Sequence, residues 1–556
     1  MMTRTQHTVL EPAPGTSAAR PRPRSRRRWL VPLLAVVLLA QMAVAMVTTA
    51  VQQTPTIDEP VYVATAADYL HEHRLRHNPE HPPLGKLVVA VGVALADPHV
   101  DPDFTGDQTE AGRHLLYESG NDPWRLMLWA RLPVIVLTLL FGLVVFVFAR
   151  DLAGPVPAVA ALALYAFSPD VIAHGSLATL DVPAAGFLLT SAWLLWRARD
   201  GGARLYLPSA GAALGAALAT RMSTLPAVPV LVVLAAWSVG LRRTRKALPA
   251  AAVVGITAVA VVWATYLVVD PRLRWDPRGT HVPVVHGLRG LLVRLLPLPE
   301  AYRDGMRIQF GLENQPWQGF LFGHVHSGPR WYYLPVAVVV KTPLGMLALW
   351  AAGAVVLVAV RRLRPAAPYV LVPAAVLLVS AMTGSRNLGT RYAVFLPMFL
   401  AVAAGCVPTV RWRWRQVVTW GRVVSWGLVA FVAVSSLRTF PFYLPYSNEA
   451  FGGPAKTHLR LHDSNVDWGQ DLGRLAHRLH GRYAGRRVWL VYKGSGVPAY
   501  YGIRASDPRR VPPREVHGVL VVSDSAVAQA RGRLAQLIRS SREVGEVGHS
   551  ITIYQR

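Results

Sequence analysis

Two adjacent carboxylates, Asp58 and Glu59, come directly after the first long apolar run of the chain. The residues that follow have the spacing of an amphipathic helix, with Tyr62, Ala66 and Tyr69 on one face. A carboxylate at a membrane surface could act as a general base toward a substrate held in the lipid. A structural role is the alternative, because acidic residues at a helix N-terminus are favoured by the helix dipole.

A proline pair, Pro82-Pro83, predicts a turn before a helix that begins near Leu84. His81 and Lys86 flank this turn. A lysine beside a helix N-terminus is a candidate phosphate contact. The alternative for Lys86 is a loop lysine whose long side chain only carries its ammonium group to water.

His174 and Asp181 stand within otherwise apolar sequence. Ionisable side chains near a membrane span are costly to place, so both are candidate functional residues. Arg131 and Arg221 lie near the ends of neighbouring apolar runs. We expect these arginines to pair with Asp58 or Asp181, or to bind a phosphate.

Three further cations lie close to apolar runs. Lys341 is about nine residues into such a run, where a lysine needs a partner or a water-filled cavity. Arg386 and Arg391 stand between two apolar runs, where the anion of a lipid-linked substrate could bind.

Several metal and nucleotide motifs are incomplete. His324 and His326 could share one face of a strand as zinc ligands, but no third ligand is identifiable, so we assign no metal site and no required cofactor. The run DSNVDWGQD begins like a calcium loop, yet Trp468 stands where glycine is required and Arg474 where glutamate is required. The chain also has no Walker motif, so we expect no nucleotide substrate.

The elements that hold these residues must be largely apolar. Of the 556 residues, 52% are hydrophobic and 16% are charged, against roughly 25% charged in soluble proteins. This composition excludes a disordered chain and disfavours a purely soluble enzyme. The single cysteine, Cys406, excludes an internal disulfide framework and a cysteine metal cluster.

The net charge of +27 comes mainly from arginines clustered at the ends of apolar runs. This placement is the positive-inside pattern of membrane proteins and argues against nucleic-acid binding. It predicts a cytoplasmic N-terminus and an extracytoplasmic C-terminus in a multi-pass plasma-membrane protein. The sequence contains eleven candidate spans, at 29–51, 124–149, 155–169, 180–197, 205–220, 223–241, 247–269, 332–360, 367–383, 391–409 and 417–437.

Three domains follow from this pattern. Residues 1–28 are predicted to be a disordered basic tail, and 29–437 an α-helical membrane domain with outer loops at 52–123 and 270–331. Residues 438–556 are predicted to form a small extracytoplasmic α/β domain. Its expected elements are a helix capped by Asp467, strands at 488–492 and 518–523, a helix at 524–540 and a hairpin at 542–554.

The order of these motifs resembles that of the GT-C glycosyltransferases, which use polyprenyl-phosphate sugars. The likeness is to protein O-mannosyltransferases and lipid A aminoarabinose transferases. It is carried by the Asp58-Glu59 pair, HPPLGKL, the Arg131 run, HGSLATLDVP, YYLPVAVVVKTPL and NLGTRY. The tail motifs NEAFGG and DSNVDWGQDL resemble bacterial family 39 glycosyltransferases.

The resemblance implies roles for the acidic residues. Asp58 corresponds to the family's catalytic base, with Glu59 beside it. It would deprotonate an acceptor hydroxyl while the sugar is transferred with inversion. Asp181 corresponds to a second acidic position that orients or binds substrate.

The resemblance also implies a donor site. The candidate donor-phosphate contacts are Arg131, Lys86, Arg221, Lys341 and Arg391, and the candidate substrate contacts are His81 and His174. The partners would be a polyprenyl-phosphate-linked sugar, an acceptor that is a protein, lipid or polysaccharide, and membrane lipids. The chain lacks the MIR-type insertion of eukaryotic O-mannosyltransferases, which leaves the acceptor open.

Two other functions remain open. A transporter or flippase of lipid-linked sugars would favour ionisable residues at mid-membrane and paired repeats. Here the polar residues cluster at span ends, and no repeat is seen. A non-catalytic cell-envelope protein would depend on residues 445–556 and not on Asp58.

Overall fold

The computed structural model describes residues 29–240, 244–275, 281–409 and 415–556. The predicted basic tail at 1–28 lies outside the described residues. So do parts of the basic clusters at 242–246 and 411–415.

Within those ranges the chain forms 21 α-helices, labelled α1 to α21 in chain order. They are Leu30–Gln52, Glu59–His71, Pro83–Ala96, Gln108–Tyr117, Pro123–Ala153, Pro155–Ala166, Pro169–Gly175, Asp181–Arg197, Ala203–Thr220, Ala227–Ser238, Thr244–Val269, Gly287–Leu295, Glu300–Glu313, Tyr333–Lys341, Leu344–Ala359, Ala367–Met382, Phe395–Gly405, Arg415–Thr439, Leu472–Arg482, Asp524–Ala528 and Gly532–Arg539. Six strands, β1 to β6, are Gln318–Leu321, His324–Ser327, Val488–Val491, Val519–Ser523, Arg542–Val547 and Ile551–Gln555.

Five helices in the described chain are long and apolar enough to cross a membrane. These spans are Leu30–Gln52, Pro123–Ala153, Arg245–Val269, Arg364–Met382 and Trp420–Thr439. The number rises to seven if each of two bent helix pairs is one span. A helix occurs at each of the eleven predicted spans, but several are shorter than a membrane crossing, so the count of eleven stays a prediction.

Prolines break one of the predicted spans, 332–360, and bend the chain at the end of another, 155–169. The run 332–360, predicted as one span, is two helices that meet at Thr342-Pro343 with a bend of 117°. The pair α6 and α7 bends by 61° before Pro169. Proline has no N–H to donate and disfavours helical backbone in the residue before it, so each helix ends there. Both breaks lie beside the candidate site described below.

A four-stranded sheet forms near the C-terminus in the order β3-β4-β6-β5. β3 and β4 are parallel, whereas β6 pairs antiparallel with both β4 and β5. β4 is buried along its whole length because apolar side chains cover both faces of the sheet, as its continuous apolar run predicts. The strands occur where the sequence predicts them. The helix predicted at 524–540 is instead two helices, separated at residues 529–531.

The segment 463–471 connects this sheet to the membrane helices. The prediction that Asp467 caps a helix is wrong, because α19 begins only at Leu472. Asp467 lies in a buried turn, where its carboxylate accepts hydrogen bonds from the N–H groups of Gly469 (3.2 Å) and Ser525 (3.3 Å). Burial, together with the charge of Asp524, raises the pKa of Asp467 to about 8.

Close packing of α3 on α5 gives a test of the fold. A Cβ atom added at Gly92 would overlap the carbonyl oxygen of Trp129. We expect Gly92→Ala to lower the stability by about 1–3 kcal/mol, the usual effect of overpacking. Thermal unfolding in detergent micelles measures this loss. Gly255→Ala in α11 is the control, since nothing lies within 4 Å of its added Cβ. Equal melting temperatures for the two variants would contradict the packing.

Candidate active site

Asp58 lies immediately before α2 and forms an ion pair with Arg391. The Nη1 atom of Arg391 is 2.5 Å from the Oδ2 atom of Asp58. The Asp58 side chain keeps 27% of its surface exposed, against 9% for Arg391. The carboxylate can therefore be reached from solvent, while the cation that holds it is nearly buried.

Two aromatic rings support the Arg391 guanidinium. Its carbon lies 4.5 Å from the centre of the Trp468 ring and 5.1 Å from the centre of the Tyr392 ring. A guanidinium over an aromatic face is attracted by the ring quadrupole. Trp468 is almost fully buried, so this face has a fixed position. The sequence indicated Arg391 but not Trp468.

A second ion pair, Asp181 with Arg221, lies in the same site. The Arg221 guanidinium lies 5.4 Å from the centre of the Tyr392 ring, which Arg391 also approaches. Tyr392 therefore joins the two acid–arginine pairs. Asp181 is one of the two aspartates expected as partners of Arg221, and the predicted contact of Arg221 with a donor phosphate stays a prediction.

His81 faces this positive cluster. Its ring lies 6.0 Å from that of Tyr62, edge to face. Burial and the charges of Arg221, Lys86, Arg386 and Arg391 hold the pKa of His81 well below its ordinary value. His81 is therefore neutral near pH 7.

Arg386 also belongs to the positive cluster, but its side chain is held by residues of α13. Its Nη2 atom lies 2.7 Å from the Glu313 carboxylate and donates to Gln309 Oε1 at 2.5 Å. Glu313 and Gln309 are on α13, so this arginine connects α13 to the site. The sequence indicated Arg386 as a cation where the anion of a lipid-linked substrate could bind, but it gave no sign of these partners.

Glu59 and Arg131 form a separate, fully buried ion pair. Arg131 donates to both carboxylate oxygens, at 2.8 and 2.7 Å. Its other bonds run to the carbonyl oxygens of Ala50, Gln53 and Thr54 at 2.7–3.2 Å. A guanidinium has five N–H donors, and these five hydrogen bonds use all of them. The partner of Arg131 is thus Glu59, and neither of the two expected aspartates, Asp58 and Asp181. The geometry gives Arg131 a positioning role and leaves no donor for a phosphate.

Backbone and hydroxyl groups complete the environment of Glu59. Thr56 N–H donates to Oε2 at 2.9 Å and Ala178 N–H donates to Oε1 at 2.8 Å. Burial alone would raise the pKa of Glu59, but Arg131 and these N–H groups hold it below its ordinary value. Glu59 is thus a buried anion with its partners in place, and solvent does not reach it. This geometry does not favour the catalytic role expected for it.

The two buried lysines hold backbone in place. Lys86 donates to the carbonyl oxygens of Asn78 (2.8 Å) and His81 (2.7 Å), which fixes the loop before α3. Lys341 donates to Leu444 O (2.5 Å) and Asn465 O (3.0 Å), and lies 3.7 Å from Asp170. Neither ammonium group is exposed. Their predicted contact with a donor phosphate is untested, and this geometry does not favour it.

His174 lies behind Trp468. The two ring centres are 6.2 Å apart, edge to face. The imidazole is fully buried, and neither of its nitrogens has a hydrogen-bond partner among the described residues. His174 therefore supports the ring that supports Arg391, and direct substrate contact stays a prediction.

The C-terminal segment forms part of this site. Ile57 N–H donates to Trp468 O and Thr54 N–H to Gln470 O, each at 3.0 Å. These bonds tie the segment to the residues just before Asp58. On its other side, the side chain of Asn465 accepts from Thr390 N–H at 3.0 Å, beside Arg391. The segment 463–471 thus contacts the chain beside both members of the ion pair, and so helps to set the distance between Asp58 and Arg391.

The histidine pair of β2 does not form a metal centre with its neighbours. Among residues 29–240, 244–275, 281–409 and 415–556, no group of three or more His, Cys, Asp or Glu side chains is arranged to hold a metal ion. His324 is exposed, and His326 lies edge-on to the Tyr333 ring at 6.2 Å.

The Glu59–Arg131 pair leads to a prediction. Glu59→Gln leaves a buried guanidinium without its counter-ion, which costs about 3–5 kcal/mol. Thermal unfolding in detergent measures the loss. Because the folded pKa of Glu59 is lowered, the pair stabilises the fold above the unfolded pKa and loses its effect only as pH falls through the folded pKa.

The deficit of Glu59→Gln should therefore be constant between about pH 6 and 8. Glu72→Gln is the matched control. Its ion pairs with Arg74 and Arg76 are long, at 4.0 and 3.5 Å, so it should stay within about 0.5 kcal/mol of wild type. A Glu59→Gln variant as stable as Glu72→Gln would contradict the structural role.

Three solved structures are similar to this chain. ArnT from Cupriavidus metallidurans bound to undecaprenyl phosphate has 16% identity and a TM-score of 0.49, over 95% of this chain and 98% of that chain. The archaeal oligosaccharyltransferase AglB from Archaeoglobus fulgidus, in complex with an inhibitory peptide and a dolichol-phosphate, has 11% identity and a TM-score of 0.48, over 89% and 70%.

The S. cerevisiae protein O-mannosyltransferase Pmt1-Pmt2 complex bound to the sugar donor has 19% identity and a TM-score of 0.36, over 45% of this chain and 35% of that chain. All three TM-scores lie below 0.5, so these likenesses carry no functional argument. A comparison with curated proteins found no match. The model of the dolichyl-phosphate-mannose-protein mannosyltransferase family matches residues 35–272, which confirms the resemblance inferred from the motifs.

Proposed function

We propose that this protein transfers a sugar from a polyprenyl-phosphate carrier to an acceptor hydroxyl at the membrane surface. The observation that carries the proposal is the partly exposed Asp58 carboxylate paired with Arg391. Two acid–arginine pairs and the ends of apolar helices occur together there. A lipid-linked anionic donor and a polar acceptor could meet at such a place.

In the proposed reaction Asp58 takes the proton of the acceptor hydroxyl. The hydroxyl oxygen then forms a bond to the anomeric carbon of the sugar. The bond between that carbon and the phosphate oxygen breaks, and polyprenyl phosphate leaves with the electron pair. A single displacement of this kind inverts the configuration at the anomeric carbon. The proton ends on Asp58, and water takes it up after the product leaves.

Arg391 has two partners in this scheme. Before the donor binds, it holds Asp58 at 2.5 Å. A donor phosphate would compete for the same guanidinium and release the carboxylate for proton transfer. When the carbon–oxygen bond breaks, the phosphate gains a negative charge. Arg391 and Arg221 would stabilise that charge as it develops, which is the most effective use of fixed cations.

Asp181 has a lesser part. It neutralises Arg221, and its side chain is only 4% exposed, so it is less accessible than Asp58. We propose that it orients Arg221 toward the donor. His81, which is neutral beside the arginines, is proposed to contact the sugar.

The arrangement in the membrane is part of the proposal. All eleven predicted spans would cross the bilayer, the N-terminus would lie in the cytoplasm, and the site would face outward. The contacts among Asp58, Asp181, Arg221, Arg391 and Tyr392 support the assignment of their helix ends to one side. Residues 438–556 would lie outside the cell as an α/β domain. The sugar and the acceptor, whether protein, lipid or polysaccharide, stay open.

Asp58→Asn tests the proposed base. We expect transfer to fall at least about 100-fold, because a positioned general base contributes roughly 10²–10⁴ to the rate. Purified protein is supplied with a panel of radiolabelled polyprenyl-phosphate sugars and a cell-envelope fraction as acceptor. The measurement is the label transferred and the polyprenyl phosphate released.

Glu72→Gln, at the residue just after the other end of α2, is the control and should keep wild-type turnover. Full activity in Asp58→Asn would contradict the assignment of the base. Movement of the lipid-linked sugar across a liposome membrane by Asp58→Asn, without transfer, would instead favour a flippase.

Trp468 gives a second test, because its proposed effect on the reaction is exerted through Arg391. Trp468→Leu removes the ring face and should reduce kcat about 3- to 30-fold, the range of a cation–π contact of about 0.7–2 kcal/mol. Trp468→Phe keeps a ring face and should recover most of the loss. If Leu and Phe variants of equal thermal stability lose activity equally, the ring has only a packing role.

A further inference from the structure

Helix α12 exposes an apolar face. Its leucines recur at a spacing of three or four residues, and each is 49–73% exposed: Leu288, Leu291, Leu292 and Leu295. Gly290 and Val293 on the opposite side are buried against the protein. Four exposed leucines on one face of a nine-residue helix are typical of a helix that lies in a membrane surface.

A groove lies next to this helix. Val259 and Trp263 of α11 form one wall, and Leu295 and Leu298 contribute to another. The indole N–H of Trp263 donates to Pro297 O at 2.8 Å, which ties the end of α12 to α11. The groove is thus built on a helix long and apolar enough to cross a membrane.

The lipid-facing surface of α11 continues into the groove. Ile256, one turn before Val259 and on the same side of α11, is 70% exposed. If α11 crosses the bilayer, hydrocarbon chains cover this surface, and the same chains are the natural neighbours of the α12 leucines. The apolar lining therefore fits an acyl chain.

The polar lining has a positive balance. Arg294 and Arg303 both line the groove, and the buried Nε atom of Arg303 has no hydrogen-bond partner among the described residues. Glu300 also lines the groove, so two cations oppose one carboxylate. Two arginines beside an apolar wall are suited to a phosphate attached to a hydrocarbon chain.

We propose that this groove binds an anionic membrane phospholipid. Its phosphate would contact Arg294 and Arg303, and an acyl chain would lie along Val259 and Trp263. The bound lipid would fix α12 and the start of α13 at the membrane surface. Binding of this phospholipid requires only a membrane, and its distinction from the sugar donor rests on the function proposed above.

The bound lipid is not the sugar donor. A donor must place its phosphate beside Asp58 and Arg391, and neither residue lines the groove. The small cavity next to His81 is distinct, although Leu75 and Ala301 line both. A phosphate at Arg294 and Arg303 therefore belongs to a second lipid.

Native mass spectrometry of the purified full-length protein tests the site. Delipidated protein is mixed with equal amounts of phosphatidylglycerol, phosphatidylcholine and polyprenyl phosphate. We expect one phosphatidylglycerol to be retained, and its occupancy to fall at least about 10-fold in the double variant Arg294→Gln/Arg303→Gln. Arg289→Gln is the control, because this α12 arginine lies over the Phe310 ring instead of in the groove.

Three results would overturn the proposal. In the first, the wild-type protein would retain phosphatidylglycerol no better than phosphatidylcholine. This result is observed without any variant. The double variant would retain as much as Arg289→Gln. Or the lipid lost from the double variant would be polyprenyl phosphate, which would assign the groove to the donor.

Discussion

The buried ion pair between Glu59 and Arg131 fixes the geometry on which the site depends. A guanidinium without contact with water must have every donor satisfied, and here five hydrogen bonds achieve this. Those bonds join the end of α1, the start of α2 and the first part of α5. Asp58 is the residue just before Glu59, so its backbone position follows directly. Two neighbouring acids thereby acquire different environments: Glu59 is enclosed, and Asp58 stays accessible.

Segments far apart in the chain complete the site. Asp58 comes from the first loop, Arg391 from a loop more than 300 residues later, and Trp468 from the C-terminal segment. Backbone hydrogen bonds from Ile57 and Thr54 hold that last segment against the first loop. Ser525, just after β4 of the four-stranded sheet, forms hydrogen bonds with Asp467 and so attaches this sheet to the same segment. The C-terminal region therefore contributes to the position of Arg391.

The sequence predicted what depends on local pattern. Apolar runs marked helices at every predicted span, and β4 was evident from its five apolar and small residues. The pairing of Arg221 with an aspartate followed from opposite charges near span ends. Local pattern does not show which of Asp58 and Glu59 is buried, because the groups that enclose Glu59, the Arg131 guanidinium and the Ala178 N–H, come from distant parts of the chain. The role of Trp468 was hidden for the same reason: a tryptophan in a polar run does not reveal what stacks on it.

The most direct test of the account is a cryo-EM structure of wild-type protein with a bound, non-transferable polyprenyl-phosphate sugar analogue. We expect its phosphate within hydrogen-bond distance of Arg391 and Arg221, the Asp58–Arg391 pair separated, and the anomeric carbon open to a hydroxyl beside Asp58. A phosphate bound elsewhere, with the Asp58–Arg391 pair intact at its 2.5 Å distance, would contradict the central role of this pair.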